Sequence, residues 1–422
     1  MTNLKILIIC RPFNFKDISL PPNFYFAFLE APTVRLVEFF KEQFHHIFIE
    51  ESIAKQCMEL TFNYAIVKDF VLRPPSPKTP HLLLTPCNDT HCNLFKSFQD
   101  KYSTLYAIPH PDNKNENALK ALIEQNIEPV VVRYNQEASN EIIHFAPTVA
   151  LCGNDWCTEF RTIKGILKNQ NCIYAALQEG PQDWGTPING NNPNKYLNSD
   201  VLLAQGPSTL KYIQPKFFSI TGTPKTDTIG VLNLPKKPKV LINCNFTYGN
   251  WEEDRDLWIH SAIDACKKSD LDYFISQHPR DKGSIDDKNV IKSSAYSIRE
   301  QMAQCSITIS RFSLIPLESL SSGRHSIYFN PHGETPVTFN DDPTPGIFKC
   351  FDNESLHNEL MRHKSSYSFN YEEALQTLEY HCGLIDGNSS ERITKVIWGL
   401  SNNRLDPNFL KNTFLWLGQN KT

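Results

Sequence analysis

Residues 233–246 read NLPKKPKVLINCNF, and where this stretch is divided decides the fold. Its first seven residues, Asn233 to Lys239, hold two prolines and three lysines without apolar periodicity, the composition of an exposed linker. From Val240 the character changes to a short apolar run of the kind that forms a buried strand. A pattern that closes at a linker and then restarts predicts two domains.

Working outward, the upstream chain alternates strand-like runs with helical patterns. LKILIIC is followed by TVRLVEFFKEQF, then HIFIE, HLLLT, TLYAI, the helical NALKALIEQN, EPVVV and PTVALC. CTEFRTIKGILKNQ is helical again, and CIYAALQ, DVLLA and FFSITG complete the set. Downstream come VLINCNF, the helix DRDLWIHSAIDACKKS, DYFISQH, SIREQMAQC, ITISR, LIPLESLSSG and SIYFN. Such alternation means crossover helices on a parallel sheet, so both halves are read as doubly wound, Rossmann-like α/β domains. The expected boundaries are 1–232 for the first domain, 233–239 for the linker, 240–400 for the second domain and 401–422 for a helical tail. The tail carries an apolar face in PNFLKNTFLWLGQN, suited to packing on the first domain or to contact with a membrane surface or partner.

Bulk properties narrow the class. The 422 residues include 40% hydrophobic and 21% charged residues, and no apolar run approaches the roughly 20 residues that span a bilayer. No signal peptide is read at the N-terminus, so cytoplasmic residence is expected. A formal net charge of -4 argues against nucleic acid as a partner. The 12 cysteines are scattered in apolar contexts and read as reduced core thiols. Cys87 and Cys92, with His91 between them, have metal-like composition, but no second pair with zinc-ribbon spacing accompanies them, and no metal site is expected.

Polar residues gather just after the predicted strands, where ligands sit in parallel sheets. In the first domain these are Asn154 and Asp155, then Glu179 and Gly180, then Gly222, Thr223, Lys225 and Asp227. In the second they are Asn245 and Thr247, then His278, Pro279 and Arg280, then Ser310, Arg311 and Ser313 ahead of a helix carrying Glu318. Each has a plain structural alternative. Asn154 or Asp155 serves as a helix N-cap, as does a serine, and a glycine turn needs no ligand.

The order GNDW…IYAALQEG…DVLLAQGPSTLKYI…ITGTPKTD…VLINCNF…SQHPRD…ISRFSLIPLESLSSG, over about residues 147 to 330, resembles bacterial surface-polysaccharide glycosyltransferases of the GT-B architecture. These include transferases that use CMP-activated sialic acid or Kdo. The resemblance implies two Rossmann-like domains facing a central cleft, and transfer of a sugar from a nucleotide-sugar donor to a glycan or glycolipid acceptor. It implies that Glu179-Gly180 supplies the catalytic base, that His278-Pro279 engages the CMP phosphate and cytosine, and that Ser310 and Ser313 hold the phosphate. Asp227 is a second candidate carboxylate. The sequence departs from the motif at Gln178, where a second acid is usual. No cofactor beyond the nucleotide-sugar co-substrate is implied, and no metal. A CDP-alditol phosphotransferase, a sugar-nucleotide epimerase and a non-catalytic binding protein on the same fold are the alternatives.

Overall fold

The strands Ile6–Cys10, Val149–Cys152, Ile173–Leu177 and Val201–Ala204 are buried at every position. Continuous rather than alternating burial is what a parallel sheet covered on both faces requires. The computed structural model describes residues 5–405 except 17, 19, 21, 30–32, 57–64, 68–71, 74–78, 109–115, 133–134, 154, 157, 181–195, 231, 248–250, 294–297, 336, 341 and 366–367. The chain divides into two units, one of residues 1–179, 194–221 and 388–422, the other of 180–193 and 222–387. Both are α/β with parallel sheets.

In the first unit eleven of the described strands form one sheet, and Leu72–Arg73 pairs antiparallel with Arg404–Leu405 apart from it. The order of the large sheet is Ala65–Val67, His46–Glu50, Ile6–Cys10, Phe24–Phe28, Phe217–Ile220, Val201–Ala204, Ile173–Leu177, Val149–Cys152, His81–Thr85, Ser103–Ile108 and Val130–Val131. The chain runs outward from His81–Thr85 to Val130–Val131. It then returns to pair Val149–Cys152 against His81–Thr85 and continues outward the other way. Strand order therefore reverses between His81–Thr85 and Val149–Cys152, a topological switch point of the kind that hosts ligands.

The second unit is a six-stranded parallel sheet ordered Val290–Lys292, Asp272–Gln277, Lys239–Cys244, Ile307–Ser310, His325–Phe329 and Ile347–Cys350. Numbered within the unit this is 3-2-1-4-5-6, the Rossmann order, with its switch point between Lys239–Cys244 and Ile307–Ser310.

The unit boundary differs from the expected linker. Residues 233–238 are largely exposed, as their composition predicts, yet they lie within the second unit, because the segment before them is tied to it. Gly230 N–H donates to the Ser321 carbonyl at 3.0 Å, and the buried Arg324 donates to the carbonyls of Leu232 (2.9 Å) and Asn233 (3.1 Å). At the other end, the helix Ser389–Asn402 belongs to the first unit rather than to the second domain. Its Ile393, Val396, Ile397 and Leu400 join the core formed by Leu82, Leu84, Leu151 and Phe13. Close packing demands Gly399 there, since a Cβ would lie 2.7 Å from the Pro12 carbonyl oxygen. The expected tail helix falls at 407–420, outside the described residues. No helix among the described residues is long and apolar enough to cross a membrane.

Candidate functional site

At the end of Ile173–Leu177 the apolar run gives way to Gln178 and Glu179, whose roles differ. Gln178 is buried, and its Oε1 accepts from the Gln205 N–H (2.9 Å) and from Thr209 Oγ1 (2.7 Å). Gln205 Nε2 donates back to the carbonyls of Gln178 (3.0 Å) and Glu179 (2.8 Å). The amide thus joins two strand ends, its oxygen accepting and its buried side chain carrying no charge. Glu179 keeps its carboxylate 27% exposed. Asn88 Nδ2 donates to its Oε1 at 3.2 Å, and His91 Nε2 lies 3.5 Å from its Oε2. The Glu179 N–H donates to Tyr196 Oη at 3.0 Å, so backbone and side chain are both held. Gly180 is buried.

Asn88 ends the turn after His81–Thr85 and His91 lies in the first turn of the helix that follows, on one side of the switch point. Asn88 is the N-cap of the helix Asp89–Lys96, with its Oδ1 accepting from the His91 N–H at 2.9 Å. His91 Nδ1 accepts from the Cys87 N–H at 3.2 Å. The metal-like trio is broken up: Cys92 directs its thiol to the Ala118 carbonyl in the core, where burial raises its pKa to about 12. The sequence reading singles out His91 only as part of that trio and does not single out Asn88.

Asp155 is fully buried. Its Oδ1 accepts from the Tyr196 N–H (2.6 Å), and its Oδ2 from those of Asn198 (2.8 Å) and Ser199 (2.9 Å). It therefore clamps the loop that presents Tyr196, a residue in the left-handed region at φ 58°. This corrects the expectation that Asp155 faces a ligand. Asn154 lies outside the described residues.

In the second unit the switch-point strands are joined by Asn243 Nδ2, which donates to Ser310 Oγ at 3.1 Å. Ser310 Oγ meets Ser313 Oγ at 3.2 Å, and Ser313 Oγ accepts from the Ile315 N–H at the start of the helix Ile315–Ser321. Arg311, 1% exposed, donates from Nε to Glu334 Oε2 at 3.0 Å and from Nη1 to the Asn245 carbonyl at 3.1 Å, stacked over Phe246. Glu334 is also met by the Phe312 N–H and by His332 Nε2. Burial raises the Glu334 carboxyl pKa, but His332, Arg311 and the Phe312 N–H outweigh it and hold the group below its ordinary value. Ser310 and Arg311, expected to bind the donor nucleotide, are thus part of the buried frame, and Ser313 caps a helix.

Asn245, His278 and Arg280 stay half-buried and Pro279 exposed. Thr247 is buried, its Oγ1 at 3.4 Å from Asn245 Oδ1. His278 Nδ1 accepts from the Arg280 N–H at 3.1 Å, which puts the proton of the neutral ring on Nε2. The turn is anchored by a pair the sequence reading missed, Asp281 with Arg255, at 2.8 Å. Gly222, at φ 77°, and the turn carrying Thr223, Lys225 and Asp227 belong to this second unit rather than to the first. Thr223 and Asp227 are buried. Burial raises the Glu318 carboxyl pKa, and the charge of Lys225 opposes it, so the turn and the helix Ile315–Ser321 come together.

No family model matches the chain, and no curated protein does. Solved structures do, and they place it in the GT-B fold shared by glycosyltransferases and sugar-nucleotide epimerases. One is the UDP-GlcNAc 2-epimerase of Methanocaldococcus jannaschii with UDP-GlcNAc and UDP, at 11% identity and TM-score 0.50, over 75% of this chain and 99% of that one. Another is MnaA of S. aureus with UDP, at 12% identity and TM-score 0.50, over 74% and 94%. A third is a variant of the wall teichoic acid polymerase TagF with CDPG, at 15% identity and TM-score 0.50, over 76% and 88%.

Proposed function

We propose that the protein is a glycosyltransferase that moves a sugar from a nucleotide donor to a surface glycan or glycolipid, with a CMP-activated acidic sugar such as Kdo or sialic acid as donor. The observation that carries this reading is Glu179, a part-exposed carboxylate at the carboxyl end of a parallel strand, one strand from a switch point, with a donor group at each oxygen. Glu179 takes the proton of an acceptor hydroxyl, the freed oxygen pair bonds to the anomeric carbon, and the bond from that carbon to the phosphate oxygen breaks, its electrons leaving with CMP. His278, through Nε2–H, stabilises the charge on the departing phosphate. Asn245 and Arg280, beside the second unit's switch point, contribute to nucleotide binding.

The groups assigned to the nucleotide and its phosphate are a histidine, an asparagine and a guanidinium, so turnover is expected to persist in EDTA. The enzyme works in the cytoplasm, and a glycolipid acceptor would bring it to the inner face of the membrane, with residues 407–420 as the contact.

A nucleotide panel tests the assignment. Thermal shift with CMP, CDP, UDP and GDP is expected to favour a cytidine nucleotide, and CMP-sugar to be consumed only with acceptor. Turnover of UDP-GlcNAc without acceptor, or phosphate retained in the product, would replace the transferase by an epimerase or a CDP-alditol phosphotransferase.

A further inference from the structure

We propose that Asn88 and His91 are positioning residues for Glu179, together presenting a donor to each carboxylate oxygen from one turn. This rests on Glu179 being the general base. Asn88 uses both ends of its amide. Its Oδ1 is committed to the His91 N–H at 2.9 Å, which fixes the amide orientation and leaves Nδ2 pointing at Glu179 Oε1, 3.2 Å away. His91 is fixed in the same way. Its Nδ1 accepts from the Cys87 N–H, so the neutral ring carries its proton on Nε2, facing Glu179 Oε2 at 3.5 Å.

His91 is 1% exposed, and its Nε2 makes no hydrogen bond among the described residues. An orphaned donor in that setting is costly unless it serves something. The 3.5 Å separation is longer than a hydrogen bond, as catalytic contacts often are before substrate closes them. Room for the ring is made by Gly153, across the switch point, where any Cβ would strike the imidazole. Two donors facing one carboxylate restrict its rotation and hold it in one orientation. His91, the histidine between Cys87 and Cys92, is thereby given a role other than metal binding.

The test compares four variants by kcat with a CMP-sugar donor, CMP affinity and melting temperature. His91→Phe is expected to lower kcat about tenfold or more, as loss of a hydrogen bond to a charged group does, with CMP affinity unchanged. His91→Gln, whose amide reaches the Nε2 position, is expected to recover most of that loss. Asn88→Asp keeps the helix cap but sets a second carboxylate against Glu179, so kcat falls while the melting temperature holds. If Glu179→Gln abolishes turnover while His91→Phe and Asn88→Asp retain it, the positioning role fails and the base assignment stands. If Glu179→Gln is itself active, the base assignment fails. A melting temperature that falls in step with kcat, without rescue by glutamine, marks a structural role and overturns the proposal. Nitrogen-15 spectra of the wild-type histidines give a readout independent of turnover. A His91 proton on Nε2 is expected, and a proton on Nδ1 overturns the proposal.

Discussion

Gly153 and His91 fit against one another so closely that a Cβ on residue 153 would lie 2.1 Å from Cε1 and Nε2 of the imidazole. Gly153→Ala is therefore expected to displace the ring. Overpacking of this kind costs about 1–3 kcal/mol of stability, and kcat is expected to fall about tenfold or more as the His91 donor leaves Glu179. Thermal melts and steady-state rates measure both. Wild-type values for each would show that the ring has no fixed place.

Asp155→Asn tests the clamp on the loop 196–199. The carboxylate accepts three backbone N–H groups, and an amide offers one acceptor oxygen in place of two. A loss of about 1–3 kcal/mol in urea unfolding is expected, since a buried donor is left unsatisfied. CMP affinity should be retained. A fall in CMP affinity without a loss of stability would contradict the structural role.

His278→Ala removes the ring assigned to the leaving phosphate. Calorimetry with CMP is expected to show affinity weakened by about 1.5–3 kcal/mol, the scale of a hydrogen bond to a charged group. The Arg255–Asp281 pair that anchors the turn is untouched. Unchanged affinity would move the nucleotide elsewhere.

His363 gives the second unit a pH dependence. Burial first, then the nearby charges of His325 and Arg362, lower its pKa from 6.5 to about 3, with Glu359 opposing. The folded pKa lies below the unfolded one, so between about pH 6.5 and pH 3 the unfolded chain binds the extra proton. Stability is then complete above about pH 6.5 and declines below it, by at most about 1.4 kcal/mol per pH unit from this group. Melting temperature followed from pH 7.5 to 5 should fall, and less steeply in His363→Phe. An equal slope in the two proteins would assign the effect to other groups.

Phe24–Phe28, Ala65–Val67, Val290–Lys292 and Ile347–Cys350 escaped the sequence reading, but most of the alternation of strands and helices was legible because the inner strands of a covered parallel sheet are nearly continuous apolar runs. The place where the sheet pairs was not. Phe24–Phe28 sits between Ile6–Cys10 and Phe217–Ile220, a partnership with a strand nearly 200 residues on that no local pattern announces. Residues 233–238 are largely exposed, but exposure does not fix a boundary. Arg324 and Ser321 attach the residues before them to the second unit. At the site, Glu179 stood out as a lone acid ending an apolar run. Its donors lie about 90 residues earlier, where Asn88 looks like any N-cap. Arg311 misled because a cation at a strand end suggests phosphate, and its partner Glu334 is 23 residues away.

Turnover of Glu179→Gln tests whether Glu179 is the general base, because glutamine keeps the shape of the side chain and can no longer take the acceptor's proton. With a CMP-sugar donor, kcat should fall by roughly 10²- to 10⁴-fold, while CMP affinity and melting temperature stay at wild-type values. Retention of more than about a tenth of wild-type turnover, a loss too small for a missing general base, would remove Glu179 from that role.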